Sequence, residues 1–245
     1  MSVSNGPNVP TDDLQLYVDA GNPKSYPGSG TSWLDLSNSN TNGTFGGTPT
    51  HTASGGGYFS FDGSTDFITF GAILEGSGEA LSAGKTQNTV SYFARASSFS
   101  TYSDNHSIGN CVFGKASDSA NDNYEIGYNS AGQLEVYIDD QSNDSTIESA
   151  YFVYNAWHHV SIVYDASLST AAVKFYVNGR LRLQTSTATY SGMDNAAGSQ
   201  VTIANNRSNR AWFTGDIGLL MVHGKALSAA EVSQVFQAHR SRYGI

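Results

Sequence analysis

The stretch that decides the fold is NAWHHVSIVYD, residues 155–165. Two adjacent histidines behind a tryptophan raise the question of a metal or catalytic site. Along an extended chain, neighbouring side chains point to opposite faces. His158 then shares a face with Val160, Ile162 and Tyr164, and His159 shares the other with Ser161, Val163 and Asp165. A zinc-binding pair needs both histidines on one face, at i, i+2 on a strand or i, i+4 on a helix. The run therefore reads as the entry to a strand, with Trp157 as a core or rim aromatic.

The same period of two extends outward in both directions. Downstream, AAVKFYVNGRLRL (171–183) holds two alternating runs around Asn178-Gly179, a two-residue turn whose central positions both need positive φ. QVTIANN (200–206) and FTGDIGLLMVHG (213–224) follow, and the apolar run Ile217 to Val222 predicts a strand covered on both faces. Upstream, LQLYVDA (14–20), YFSFDG (58–63), DFITF (66–70), NTVSYFARA (88–96), CVFGKA (111–116), NYEIGYN (123–129) and QLEVYID (133–139) carry strand signals. Residues 21–47 hold too much Pro, Gly and Asn for a continuous strand or helix, and Trp33, Leu36 and Phe45 are expected to pin that loop to the core. One helix stands out, over about 228–241. Ser228 and Glu231 form a capping box, Leu227 can staple onto Val232, and Val232, Val235, Phe236 and His239 make one stripe.

These elements predict an all-β fold: a single antiparallel β-sandwich over 14–245 with a short C-terminal helix. Residues 1–13 read as an extended arm, with Pro7, Val9 and Pro10 as candidates for an assembly tether that orders on a partner. The chain carries 12 Lys+Arg against 21 Asp+Glu, a net charge of −9. That gives no electrostatic footprint for nucleic acid and no basic helix for an anionic membrane. Cys111 is the only cysteine, so no internal disulfide forms, and MSVSNGPNVPTDD does not read as a signal peptide.

Four pieces, taken together, resemble the LamG-like, concanavalin A-like jelly rolls: YFSFDGSTDFITF (58–70), NAWHHVSIVYD (155–165), VKFYVNGRLR (173–182) and FTGDIGLLMVHGKALSAAEVSQVF (213–236). In addition, LYVDAGNPKSYPGSGTSWLDLS (16–37) and the closing VFQAHRSRYGI look like LamG-like modules in virion structural proteins of tailed bacteriophages. That resemblance implies a place on the outer surface of a virion, after synthesis in host cytoplasm without secretion. It implies as partners a major capsid protein or other virion proteins, and a homo-oligomer for which a trimer suits icosahedral lattices.

Several candidate sites follow. Relatives of this fold bind calcium at the sandwich rim, and Asp62 and Asp66 in FDGSTDF are the first candidates, with Asp118, Asn121 and Asp122 second. The plainer reading is that the carboxylates bond turn amides around Gly63. For glycans, Tyr124 and Tyr128 share one strand face, with Tyr137 outward on the next strand beside Glu135. Asn205, Asn206, Arg207, Arg210 and Trp212 form a second polar and aromatic group. Glucanases of this fold present E-x-D-x-x-E on one strand; no such motif occurs, and Glu125, Glu135 and Glu148 have no matching partners in the sequence. The expectation is a non-enzymatic virion structural protein, a capsid decoration or cement protein of a tailed phage. The alternative is a receptor- or glycan-binding module of a phage tail or fibre, meeting host-surface glycans.

Overall fold

The computed structural model describes residues 8–82, 84–99, 108–116, 122–138, 144–147, 152–168, 172–185, 199–206 and 211–245. In chain order the strands begin with β1 (Leu14–Asp19), β2 (Ser32–Trp33), β3 (Gly43–Gly46), β4 (Thr50–Thr52), β5 (Tyr58–Asp62) and β6 (Phe67–Gly71). Then come β7 (Gln87–Ala96), β8 (Asn110–Ala116), β9 (Asp122–Tyr128), β10 (Leu134–Ile138) and β11 (Asp144–Ile147). The last are β12 (His158–Asp165), β13 (Val173–Val177), β14 (Arg180–Thr185), β15 (Gln200–Ile203) and β16 (Thr214–His223), followed by α1 (Ala229–Tyr243).

The strands form two antiparallel sheets. The first, sheet A, runs β14-β13-β12-β7-β16-β5-β4. β1 also joins it, pairing with the second half of β16 so that Asp19 lies opposite Leu219. The second, sheet B, runs β11-β10-β9-β8-β15-β6-β3-β2. Between them lies one core that includes Leu16, Phe59, Tyr92, Phe113, Ile126, Ile162, Phe175 and Ile203. The alternation read from sequence sets these inner faces: Leu134, Val136 and Ile138 lie opposite Tyr128, Ile126 and Tyr124 and point inward together. Trp33 is buried and meets Phe59 edge-on at 5.0 Å, which holds the 21–47 loop on the sandwich. That loop contains two short strands, β2 and β3, which the sequence did not announce. They form because the end of sheet B offers β6 as a pairing edge.

His158 and His159 do lie on opposite faces of β12. His158 pairs with Ala94, on the core side, and His159 with Phe93, on the outer side of sheet A. The turn after β13 has φ of 50° at Asn178 and 71° at Gly179, as a type I′ turn requires.

The outer face of sheet A is covered by α1. Leu227, Val232, Val235, Phe236 and Tyr243 pack on Phe93, Val163, Tyr176, Leu219 and Met221. Ser228 caps the helix: its hydroxyl accepts from the Glu231 amide while the Glu231 carboxylate accepts from the Ser228 amide. Gly244, at φ 71°, closes it. The C-terminal end is locked by Arg242, whose guanidinium donates to both oxygens of buried Asp19 at 2.7 and 2.8 Å and to the Gly56 carbonyl. A Cβ on Gly21 would lie 2.1 Å from that guanidinium, so the close approach requires glycine there.

The arm differs from expectation. Residues 8–13, the described part of the arm, lie on their own domain. Val9 packs against the helix cluster, the Pro10 carbonyl accepts from His223 Nε2 at 3.0 Å, and Asp12 pairs with Lys225 at 2.8 Å. The Gln234 amide donates to the Asn8 carbonyl. The apolar seam beside α1 and β16 supplies a docking place that composition alone did not reveal. Pro7 lies outside the described residues. Among the described residues no helix is long and apolar enough to cross a membrane.

Candidate functional site

With α1 on sheet A, the outer face of sheet B is the remaining broad sheet surface. One register row crosses seven of its strands: Tyr137, Glu125, Gly114, Thr202, Thr69, Thr44 and Ser32. Each side chain except glycine's carries a hydroxyl or a carboxylate. The row divides in two. Tyr137, Glu125 and Thr202 are buried, whereas Thr69 and Ser32 are half-buried and Thr44 is exposed.

The covered half is roofed by the chain after β15. Ala204 takes a left-handed turn at φ 68°, which directs the following residues out over β8. A Cβ on Gly114 would meet the Asn205 carbonyl and Thr202 Oγ1 at 3.3 Å, so this segment rests directly on the glycine. Thr202 Oγ1 donates to the Asn205 carbonyl, and the Ala211 amide donates to Asn206 Oδ1 at 3.3 Å. Ile108, Cys111, Tyr137 and Ala211 form a small apolar cluster under this roof. Glu135 is buried on the same face of sheet B, accepting from Asn129 Nδ2 at 2.6 Å.

At the border between the halves stands Trp212. It is half-buried and meets the half-buried Phe67 ring edge-on, at a centroid distance of 6.0 Å. Phe67 precedes Thr69 on the same face of β6, and Thr69 Oγ1 lies 3.5 Å from Gln200 Oε1. The open half is thus a shallow floor of hydroxyl and amide groups with an aromatic wall. Apolar carbon faces can lie against such a wall while hydroxyls meet the floor.

The sequence candidates sort accordingly. Trp212, Asn205, Glu135 and Tyr137 do belong to one face of sheet B, although they come from two separate stretches. Asn205, Glu135 and Tyr137 are buried, so they support the face and do not line its surface. Tyr124 and Tyr128 require a correction: both point into the core. The Tyr124 hydroxyl donates to Asn88 Oδ1 at 3.2 Å, and the Tyr128 hydroxyl lies 3.4 Å from that of Tyr92. Burial pushes the Tyr128 phenol up. The alternation that joins them to Ile126 also separates them from Glu135 and Tyr137. Arg207 and Arg210 lie outside the described residues. The sequence reading missed Phe67, Thr69 and Thr44. The alternation of DFITF already placed Phe67 and Thr69 together, but nothing local said that this face was the outer one.

Glu125 and Glu135 also revise the sequence reading. Glu125 pairs with Tyr137 and Glu135 with Gly127, so the carboxylates are diagonal neighbours on adjacent strands. Both are buried.

The calcium candidates form a turn clasp. Asp62 Oδ1 accepts the amides of Ser64, Thr65 and Asp66 at 2.8–3.0 Å, and Oδ2 accepts both hydroxyls of Ser64 and Thr65. Desolvation opposes ionisation, but the Thr65 and Ser64 donors outweigh it and hold the Asp62 carboxyl well below the usual range. Asp66 Oδ1 accepts from the Thr48 amide at 2.7 Å. Among the described residues no three His, Cys, Asp or Glu side chains gather as a metal site requires. Asp118 and Asn121 lie outside the described residues.

A separate cleft of about 300 Å³ lies at the rim, with Gln15, Thr41, Ile73, Glu75 and Glu79 among its lining residues. Among the described residues its lining holds no aromatic ring, and Glu79 already accepts from the Gly76 amide at 2.8 Å.

A family model described as the concanavalin A-like lectin/glucanases superfamily (Laminin_G_3) matches residues 62–233. The chain belongs to that superfamily. Among curated proteins none matches the sequence. Solved structures share the fold at low identity. The chain is similar to Trypanosoma rangeli sialidase in complex with sialic acid, with a TM-score of 0.67 and 12% identity over 99% of this chain and 35% of the sialidase. It is similar to domain 4 of AbnA, a GH43 extracellular arabinanase from Geobacillus stearothermophilus, in complex with arabinotriose. There the TM-score is 0.63, at 17% identity over 93% of this chain and 100% of that domain. It is also similar to the binding domain of botulinum neurotoxin DC in complex with SialylT, with a TM-score of 0.63 and 14% identity over 95% of this chain and 52% of that one. The chain therefore spans about a third of the sialidase and half of the toxin binding domain.

Proposed function

We propose that this chain is a non-catalytic glycan-binding module whose site is the open half of the outer face of sheet B. The observation that carries the proposal is the half-buried Trp212 against Phe67, beside the hydroxyls of Thr69 and Thr44. Trp212 supplies the apolar wall, Phe67 fixes its tilt, and Thr44, Thr69 and Gln200 supply hydrogen-bonding groups. Glu125 and Glu135 are buried in this face and shape the floor without reaching a ligand. The sialic acid, arabinotriose and SialylT bound by the three related structures support the class of ligand. Screening the whole chain on a glycan array, then repeating the screen with Trp212→Ala, tests the reading. A glycan bound by the first protein and lost by the second is expected. An array without a single hit overturns it.

A second reading places the module on the surface of a tailed-phage particle, as a head decoration protein or as part of a tail or fibre. Its support is that the two segments resembling virion modules meet in space: Asp19 from the first holds Arg242 from the last. Labelling intact particles and imaging them by electron microscopy tests this. Label on the head favours decoration, label on the tail favours receptor contact, and no label on any particle rejects the setting.

A further inference from the structure

Three buried histidines line the seam where α1 and residues 8–13 rest on sheet A. His159, on β12, has each ring nitrogen engaged. Nδ1 accepts from the Gly179 amide at 3.3 Å, so the proton sits on Nε2, which lies 3.2 Å from Ser161 Oγ. His239, on α1, donates from Nδ1 to the Val235 carbonyl at 3.0 Å and turns Nε2 toward the Tyr17 hydroxyl at 3.4 Å. His223, at the end of β16, donates from Nε2 to the Pro10 carbonyl, and its buried Nδ1 has no partner. The Phe93 ring lies 4.9 Å from the His159 ring and 5.8 Å from the His239 ring.

We propose that these histidines form an acid-sensitive latch whose protonation releases α1 and residues 8–13 from sheet A. Each docked ring is neutral; geometry opposes a second proton on His159 and His223, and burial opposes it on His239. On His159 the proton would displace the Gly179 hydrogen bond. On His223 it would sit on a buried nitrogen with no acceptor. On His239 it would meet the Tyr17 hydroxyl, near Asp19 but also near Arg242. The other ionisable groups facing the seam are Tyr176 from β13, Tyr243 from α1, Asp13 before β1, and Lys225 with its partners Asp12 and Glu231. None supplies an acceptor to His159 or to His223 Nδ1.

Burial holds all three imidazoles below their ordinary value, and the neighbouring His239 adds to it at His159, which is pushed down to about 3. The released state binds protons at the usual histidine value of about 6.5 and the docked state does not. Docking is therefore fully favoured above that value and weakens as pH falls toward the depressed ones. At pH 4.5, two units below the released value, His159 alone shifts the equilibrium about a hundredfold. Release uncovers Phe93, Val163, Tyr176, Leu219 and Met221, an apolar face available only in acid.

Hydrogen exchange of the full chain from pH 7.5 to 4.5, corrected for intrinsic rates, tests the latch. The expected result is a loss of protection in α1 and residues 8–13 of about a hundredfold or more, beginning between pH 6.5 and 5. The amides of β8, β9 and β15 should hold, and binding of an apolar dye should rise in step. His223→Gln and His239→Gln should each move the onset to lower pH. The proposal is overturned if α1 stays protected at pH 4.5, or if the onset lies below that pH, where carboxylates such as Asp19 and Glu231 titrate. Loss of the helix only together with sheet B, or an onset untouched by either substitution, also overturns it.

Discussion

Tyr124 turns its ring into the core between the sheets, where its hydroxyl donates to Asn88 Oδ1 at 3.2 Å, while His158 and His159 leave β12 on opposite faces. The split of His158 from His159 was legible because it needs only the strand period. The fate of Tyr124 was not, because alternation groups residues without saying which group faces inward. Tyr124→Phe should lower stability by about 1 kcal/mol, the usual worth of one buried hydrogen bond, and leave glycan binding unchanged. Urea unfolding and a binding titration on the same sample check both halves of that statement. Asp62 makes a second contrast. Its five hydrogen bonds are local, so the turn reading was available from FDGSTDF itself. Its depressed carboxyl contributes stability above the unfolded aspartate value of about 3.9 and loses it as pH falls further. Thermal melts should show Asp62→Ala melting lower than the parent at pH 7, with the gap closing in strong acid. Added calcium should shift neither melt.

Among the elements, α1 was the most legible, since its capping box, staple and stripe all lie within sixteen residues of one another. Ser228→Ala should cost about 1 kcal/mol, and Phe236→Ala about 3 kcal/mol because it leaves a hole against sheet A. Denaturant titrations measure both, and equal effects from the two substitutions would contradict the packing described. The roof over sheet B was the least legible element. Ala204 carries no glycine or asparagine signature for its left-handed turn, and the contact at Gly114 joins that glycine to Asn205 and Asn206, far away in sequence. For the same reason the sequence placed Glu125 and Glu135 without partners: their proximity is a property of the β9–β10 pairing. The short strands β2 and β3 exist only because a neighbouring edge pairs with them, so local composition read them as loop.

At the scale of the whole molecule, one sheet is closed by a helix and the other is half open. The closed side is held by the first strand and the last turn. Asp19→Ala should destabilise by about 3 kcal/mol, at the low end for a buried ion pair because Arg242 is 28% exposed. The open side is where a ligand can reach. The alternating strands declared a sandwich, but no strand declared which outer face would be left open, since that depends on where α1, Asn205, Asn206 and Ala211 come to rest. The central claim is that the bare half of sheet B binds glycans through Trp212. Isothermal titration of the best glycan from an array, against the parent chain and Trp212→Ala, tests it most directly. The account predicts affinity about tenfold weaker for Trp212→Ala, as the loss of one stacked aromatic implies, while the protein still melts in one cooperative step well above the assay temperature. Equal affinity for the two proteins would contradict it.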